Sequence, residues 1–412
     1  MEKEEPRQLA EHFFRHSYAK LVAILVRYFG LPSVNLAEDI VQDTLVTAME
    51  AWSLHGLPER PEAWLMDVAK KKTINVLKRD RLLAQKILPR LREDWRATET
   101  PLDDVTTQDS TLRMIFACCH PSLPAGSRIA LALKTLCGLS IPEIAWALLT
   151  TEANVNKRLY RAKQKFRSGA VAFGLPDHRQ LAARLGSVHK VVYLLFNEGY
   201  HATSHPKAIR MDLCYEAIRL QRQVLAAYPG TAASLALLAL MLLQVARFTS
   251  RLDNQGGLVL LMDQDRTAWD RSLIAEGVAL LQQAARGQEL TTYHLQAGIA
   301  AEHCLAPNWD STDWAGIYRQ YNLLIRLEDS PILRLNQSIA RFYAGGREAA
   351  LVALLALEET SLSKNPHYHA TLGVFRAALG DQTRAAARFR KAARLTKSAP
   401  EKALLLARVA AL

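Results

Sequence analysis

The sequence predicts an all-α protein in which two small helical domains precede a long helical-repeat domain. Apolar residues recur at intervals of three and four along most of the 412 residues, as at Leu21, Ile24 and Leu25, which is the spacing of one helix face. The one strand-like piece, residues 257–262, follows a turn-like cluster at residues 253–256. This length favours about two to four domains.

Breaks in the helical pattern divide the chain into three blocks. Residues 93–106 are polar and contain a proline, which is typical of a linker. They separate a first helical unit, residues 7–92, from a second, residues 107–172. A further break near residue 174 precedes one continuous helical array, residues 178–412. The sequence therefore predicts two compact units with a helical extension larger than both together.

The extension carries a faint repeat between residues 330 and 397. Small and apolar residues fall there at the spacings of a tetratricopeptide repeat, a helix-turn-helix of about 34 residues. They are Leu372, Gly373, Gly380, Ala385, Phe389 and Ala392, matched 35 positions earlier by Gly345, Ala350, Leu354 and Leu357. In this pattern the glycines mark the turn between paired helices, and the other residues lie where the helices touch. Chance similarity among alanine-rich helices is the alternative.

Charge and cysteine usage limit the kind of partner and the compartment. The net charge of +12 favours a polyanionic partner, usually nucleic acid. Five cysteines without a CxxC pair fit a reducing cytosol, and the adjacent Cys118 and Cys119 lack the spacing of a zinc site. The N-terminal residues are charged, and the apolar stretches of the sequence are too short to cross a bilayer, which also favours a cytosolic protein. We therefore expect a cytoplasmic protein with no metal, no cofactor and no membrane contact.

The strongest local pattern is a helix-turn-helix between residues 140 and 167. Ser140 can cap the first helix, Pro142 suits its first turn, and Thr151 can cap the second helix. One face of the second helix is apolar. The opposite face carries side chains that read base edges or hold phosphates: Asn154, Asn156, Lys157, Arg158, Arg161 and Lys165. The pattern indicates a recognition helix, and an ordinary helical hairpin with a basic exterior is the alternative.

A second basic helix is predicted from residue 61 onward, and its first turn holds Trp64. An aromatic ring beside a cationic helix suits single-stranded DNA, because a base can stack on the ring while cations hold its phosphates. The candidate side chains are Trp64, Lys70, Lys71, Lys72, Asn75, Lys78 and Arg79. A tryptophan packed in the core is the alternative for Trp64.

A third helix, between residues 36 and 46, carries an acidic face. Asp39 and Asp43 lie one turn apart on it. An acidic face is unsuited to contacting DNA, so it either docks on a basic protein surface or is only solvated. The candidate docking residues are Glu38, Asp39, Gln42, Asp43 and Val46.

In this order, the three segments resemble the extracytoplasmic-function sigma factors of bacterial RNA polymerase. LAEDIVQDTLVTAME resembles the family's helix that docks on core polymerase. PEAWLMDVAKKKTINVLKRDR resembles the helix that melts and reads the −10 element. SIPEIAWALLTTEANVNKRLYRAKQKFRS resembles the helix-turn-helix that reads the −35 element.

The remaining sequence resembles the subgroup of these sigma factors that has a long C-terminal extension with tetratricopeptide-like repeats. The segments that carry this resemblance are FACCHPSL, VVYLLFNEGY, LALMLLQVAR and LVLLMDQDRTAWDRSLIAEG. The resemblance implies a transcription initiation factor without catalysis, whose partners are core RNA polymerase and promoter DNA. It also implies that the extension contacts the sigma domains of its own chain and regulates them.

Two other functions stay open at the level of sequence. The first is a helix-turn-helix regulator with a repeat-array sensor that never replaces a sigma factor. The second is an enzyme with acid/base or metal groups in the extension. Its candidates form no complete constellation: Asn197, Glu198, His201, His205, Asp263, Asp265 and Asp270.

Overall fold

The computed structural model describes residues 5–79, 104–148, 150–200, 209–253, 259–396 and 399–412. Its helices confirm the predicted all-α fold, and no β-strand forms in these ranges. The helices of the N-terminal half are α1 (Glu5–Phe29), α2 (Val34–His55), α3 (Pro61–Arg79), α4 (Asp104–Cys118), α5 (Ala125–Thr135), α6 (Ile141–Ala147), α7 (Glu152–Arg167) and α8 (His178–Tyr200).

The C-terminal half consists of ten further helices in the described ranges. They are α9 (Met211–Ala227), α10 (Ala232–Val245), α11 (Arg271–Ala284), α12 (Thr292–Leu305), α13 (Trp314–Leu327), α14 (Pro331–Tyr343), α15 (Arg347–Leu355), α16 (Pro366–Ala378), α17 (Gln382–Leu395) and α18 (Ala399–Ala410). Short 3-10 turns cover Leu31–Ser33, Phe248–Ser250, Leu261–Asp263, Arg266–Ala268 and Ser361–Lys364.

The chain forms two compact units. The first comprises Met1–Leu195 with Tyr215–Gln223, and the second comprises Phe196–Cys214 with Val224–Leu412. The first unit therefore contains most of α8, a helix that the sequence assigned to the extension. Its helices pack as one body: α1 against α2 and α4, and α7 against α5, α6 and the Leu31–Ser33 turn.

The second unit is a succession of packed helices, in which the apolar helix α10 packs against α11 and α12. In α10, twelve of the fourteen residues are buried. By length and composition the segment Ala232–Ser250 could cross a membrane, but 78% of its apolar window is buried inside the protein, as in a core helix. From α12 onward each helix packs on the next, and the connection between α15 and α16 contains a 3-10 turn.

The predicted repeat positions lie where paired helices meet. Gly345 and Gly380 have φ values of 100° and 84°, and they occupy the turns that follow α14 and α16. A Cβ atom on Gly373 would come within 2.6 Å of Phe389 Cε1, so glycine permits α16 and α17 to approach closely. The helix pairing is confirmed, whereas kinship with tetratricopeptide repeats stays a prediction.

Two details of the sequence interpretation differ from the structure. The strand-like piece is not a strand where it is described, because Leu261–Asp263 is a 3-10 turn and Val259 makes a single backbone bond, to Arg251 O at 2.9 Å. Continuous apolar character cannot distinguish a strand from a buried irregular segment. Helix α4 begins at Asp104, inside the predicted linker; linker residues 93–103 lie outside the described ranges.

Candidate nucleic-acid interface

Helices α6 and α7 form a helix-turn-helix with capped termini. The Ser140 amide donates to Glu143 Oε2 at 2.6 Å, and the Glu143 amide donates to Ser140 Oγ at 3.4 Å, which is a reciprocal capping box. Thr151 Oγ1 accepts from the Asn154 amide at 3.3 Å and so caps α7. The predicted apolar face of α7 is buried and consists of Val155, Leu159, Ala162 and Phe166.

The outer face of α7 presents four of the six predicted DNA-reading side chains to solvent: Asn156, Lys157, Arg161 and Lys165. The other two are half-buried and have partners within the domain. Asn154 Nδ2 donates to Thr150 Oγ1 at 2.8 Å. The guanidinium of Arg158 lies over Gly126, since a Cβ there would be 3.2 Å from Arg158 Cζ. Arg158 thus braces α7 against the start of α5.

Sequence reasoning missed Tyr160, which stands among the exposed cations of α7. Its side chain is 64% exposed, which is unusual for an aromatic residue that a domain could bury. A ring at this position can pack against a thymine methyl group or hydrogen-bond a phosphate. Helical periodicity could have indicated its position, because Tyr160 follows Asn156 and Lys157 by one turn and so lies on the same exposed face of α7.

Trp64 lies in the first turn of α3 and contacts the ring of Trp52 on α2, with centroids 5.4 Å apart. Both side chains are half-buried, so Trp64 is neither fully packed in the core nor fully accessible for a base to stack on. Two exposed leucines, Leu54 and Leu57, flank Gly56 at the end of α2 and were not singled out from the sequence. Such apolar groups add contact surface for an unstacked base.

The cationic side chains of α3 differ in exposure. Lys71, Asn75 and Lys78 are exposed, whereas Lys70 and Lys72 are half-buried. The side chain of Arg79 lies outside the described part of the structure. Helix α3 therefore presents a cationic and amide face beside the aromatic pair.

The acidic face of α2 is divided between solvent and the protein interior. Asp39, Gln42, Asp43 and Val46 are exposed, as a docking face requires. Glu38 is buried: Oε2 accepts from Lys163 Nζ at 2.6 Å, and Oε1 accepts from Thr135 Oγ1 at 3.3 Å. Its charge also raises the pKa of the Tyr18 phenol, after the larger effect of burial.

The Glu38–Lys163 ion pair joins the acidic helix to the helix-turn-helix. Lys163 lies on the flank of α7, and the side chains of Lys163 and Glu38 are 22% and 7% exposed. Beside this pair, α7 rests on the Leu31–Ser33 turn. The structure thus brings the predicted docking helix and the predicted reading helix together, and it leaves the outer face of α7 in solvent.

Arg128 is a second junction in the first unit. Its guanidinium donates to Leu123 O at 2.7 Å, to Pro121 O at 2.9 Å and to Ser187 Oγ at 3.0 Å. The two carbonyls belong to the turn after the Cys118–Cys119 pair, and Ser187 belongs to α8. One partly buried network therefore connects the helix-turn-helix domain to α8, the first helix assigned to the extension from the sequence.

Four of the candidate metal and acid/base residues are buried in the core or cap a helix or turn: Cys118, Cys119, Asp265 and Asp270. Cys118 and Cys119 are buried, and burial raises the pKa of the Cys119 thiol to about 12. Asp265 caps the 3-10 turn Arg266–Ala268 and Asp270 caps α11, each by accepting backbone amide hydrogens. No group of three metal-binding side chains is found in the described ranges, outside which His201 and His205 lie.

Comparison with known proteins assigns the two N-terminal blocks and the beginning of the extension. Residues 13–82 match the model of Sigma-70 region 2, and residues 113–166 match that of Sigma-70, region 4. Residues 184–285 match a family of unknown function (DUF6596). An uncharacterized protein of Rhizobium meliloti (strain 1021) is 37% identical over 385 residues, which is 92% of this chain and 90% of the relative. Similarity thus extends through the extension.

Proposed function

We propose that this chain, which contains Sigma-70 regions 2 and 4, is a cytoplasmic sigma factor of the extracytoplasmic-function group whose extension regulates it in cis. Its Sigma-70 regions give it a role in transcription initiation through DNA binding, which is the role of a transcription factor rather than of an enzyme. The observation that carries the proposal is the capped helix-turn-helix with an exposed cationic face, preceded in the same unit by an acidic helix and a cationic helix with an aromatic pair.

Each surface has a partner of matching chemistry. The exposed acids of α2 suit a basic surface of core RNA polymerase. The cationic face and aromatic pair of α3 suit the unpaired −10 element, and the outer face of α7 suits the major groove of the −35 element. In this assignment Asn156, Lys157, Arg161 and Lys165 contact DNA directly, whereas Asn154 and Arg158 hold α7 in position.

Charge reversal on α2 tests the polymerase contact. We expect the double variant Asp39→Lys/Asp43→Lys to weaken binding to core polymerase by about tenfold or more, because two attractive contacts become repulsive. Binding to a −35 duplex should be unchanged, since both side chains lie on the solvent side of α2. Fluorescence anisotropy measures both affinities. Equal core affinity for variant and wild type would contradict the assignment, and a wild-type chain without core affinity would favour the regulator that never replaces a sigma factor.

Removing the ring of Trp64 tests the −10 contact. In Trp64→Ala we expect closed promoter complexes to form normally and the strand-opened fraction to fall by about tenfold, since base stacking on an aromatic ring contributes about 1–3 kcal/mol. A fluorescent base in the −10 element reports opening. Trp64→Phe, which keeps a ring against Trp52, should open the promoter nearly as wild type does. Normal opening by Trp64→Ala would leave Trp64 with only its packing role.

The network around Arg128 supports the regulatory part of the proposal. Ser187 is bonded to the helix-turn-helix domain although it lies beyond the break near residue 174. The connection between α7 and α8 is short, so Ser187 and Arg128 meet within one chain. Tethering of this kind gives two contacting surfaces a high effective concentration for each other. A change in the extension can therefore alter the position of the reading domain.

Cleavage of the folded chain tests this coupling. We expect a protease site placed at residues 172–175 to be cut without separating the fragments, and transcription from a cognate promoter to change after cutting. Arg128→Ala should weaken the association of the fragments, because it removes the hydrogen bond to Ser187 across the cut, whereas exposed Arg179→Ala should not. Size-exclusion chromatography and in-vitro transcription give the readouts. Fragments that separate in the wild type, with unchanged transcription, would show that the extension is an independent module.

A further inference from the structure

A cluster of basic side chains surrounds Trp269 in the second unit. Trp269 is 2% exposed, and its Nε1 donates to Ser250 Oγ at 2.6 Å. The guanidinium carbons of Arg247 and Arg266 lie 5.4 and 5.2 Å from the centroid of the indole. Two positive charges are therefore held against one buried ring, in the segment that no part of the proposed promoter-reading function uses.

Arg266 is buried without a carboxylate partner. It is 5% exposed, and its amino groups donate to His303 O and Ala306 O, both at 2.9 Å, and to Thr312 Oγ1 at 3.2 Å. Within the described ranges no ion pair joins Arg247 or Arg266 to an acid. Asp265 and Asp270, which lie one and four residues from Arg266, accept backbone amides of their own turns instead. Burying like charges together without a counter-charge is unfavourable.

Two polar atoms of the same cluster are buried and have no hydrogen-bond partner among the described residues. They are Nε of Arg247 and Nδ1 of His303. His303 is 9% exposed and belongs to the α12 turn whose carbonyl binds Arg266. Burial and the charges of Arg247 and Arg266 lower the pKa of His303 to about 3, so its imidazole is neutral. A neutral imidazole can donate through Nδ1 in the appropriate tautomer.

We propose that Arg247, Arg266 and His303 form a binding site for a small oxyanion with the chemistry of a phosphate group. An oxyanion accepts hydrogen bonds from the guanidinium of Arg247 and the imidazole of His303, and it supplies the negative charge that the two arginines require. Arg247 is partly exposed, so the anion approaches along its side chain. Arg266 has a fixed position in the site, because its amino groups donate to His303 O at the end of α12 and to Ala306 O and Thr312 Oγ1 beyond it.

Phosphate titration of the full-length protein tests the site. At constant ionic strength, inorganic phosphate should raise the unfolding temperature of the second unit, whereas chloride should not. Bound phosphate should also raise the pKa of His303, because an anion stabilises the imidazolium, and nitrogen NMR of labelled histidine measures this shift. Sulfate should act like phosphate, and acetate should act more weakly. A response to acetate alone, or none to phosphate, would overturn the proposal.

Substitution of Arg247 separates ligand binding from folding. Arg247→Met removes one of two neighbouring like charges, so without phosphate it should unfold at the wild-type temperature or higher while its phosphate affinity falls by about tenfold or more. Arg247→Lys keeps the charge but loses Nε and should bind with intermediate affinity. Arg286→Met, which changes an exposed arginine after α11, should respond as wild type does. An Arg247→Met variant with undiminished phosphate affinity would show that the cluster only braces the fold.

Discussion

Lys163→Met is expected to loosen the contact between α2 and α7 by about 3 kcal/mol. The substitution leaves the buried carboxylate of Glu38 with the hydrogen bond from Thr135 but without its cation, and breaking a buried ion pair from one side costs about 3–5 kcal/mol. We expect a cost at the lower end of this range, because the Lys163 side chain is 22% exposed and solvent screens the ion pair. Native-state hydrogen exchange of amides in α2 and α7 measures the change in opening free energy in the full chain.

Lys165→Met is the matched control for this prediction. Lys165 lies two residues along the same helix and is exposed, so its loss should leave exchange in α2 unchanged. The double variant Glu38→Gln/Lys163→Met should recover much of the lost protection, because it leaves no unpaired buried charge. Wild-type exchange rates in Lys163→Met would mean that the ion pair contributes nothing to this contact.

Arg161→Ala is expected to weaken binding to the −35 duplex by about 1–3 kcal/mol and to relax preference at one base pair. Arg161 is exposed on the outer face of α7, where a guanidinium can bind a guanine edge with two hydrogen bonds. Lys165→Ala should weaken all sequences alike and reduce the slope of affinity against salt, which is the signature of a phosphate contact. Anisotropy titrations over single-base variants of the duplex, at several salt concentrations, distinguish the two effects.

Arg158→Ala provides the contrast within the same helix. Because its guanidinium lies over Gly126, its loss should reduce the stability of the α5–α7 contact and weaken DNA binding without changing base preference. If Arg161→Ala binds every duplex as tightly as wild type, with an unchanged salt slope, α7 does not read the −35 element. If Arg158→Ala changes one base preference, its assignment as a brace is wrong.

Local sequence signals predicted the helix-turn-helix well because its determinants are close in sequence. Ser140 and Glu143 are three residues apart, and Val155, Leu159, Ala162 and Phe166 repeat at helical spacing, so caps and the buried face of α7 follow from propensity and periodicity. The turns at Gly345 and Gly380 were predictable for the same reason, since their backbone conformations favour glycine.

The partners of individual polar residues could not be predicted from local signals. Glu38 was grouped with Asp39 and Asp43 because all three are acids of one helix, yet its partner Lys163 is 125 positions away. The ring of Trp52 beside Trp64 and the carbonyls around Arg266 are likewise set by tertiary packing. Residue type and helical phase show that a side chain can bind a partner, whereas the fold decides whether the partner is internal.

The ion pair between Glu38 and Lys163 gives the proposed polymerase-docking helix and the proposed reading helix a shared position. The exposed acids Asp39 and Asp43 lie on α2, which this pair holds against α7. If polymerase shifts α2 when it binds, α7 is expected to shift with it, and promoter binding is expected to act on α2 in the same way. Because a coupling free energy is the same in either direction, polymerase would then tighten promoter binding by the factor by which promoter DNA tightens polymerase binding. The cooperativity of the ternary complex is therefore expected to fall in Lys163→Met, where the ion pair is lost.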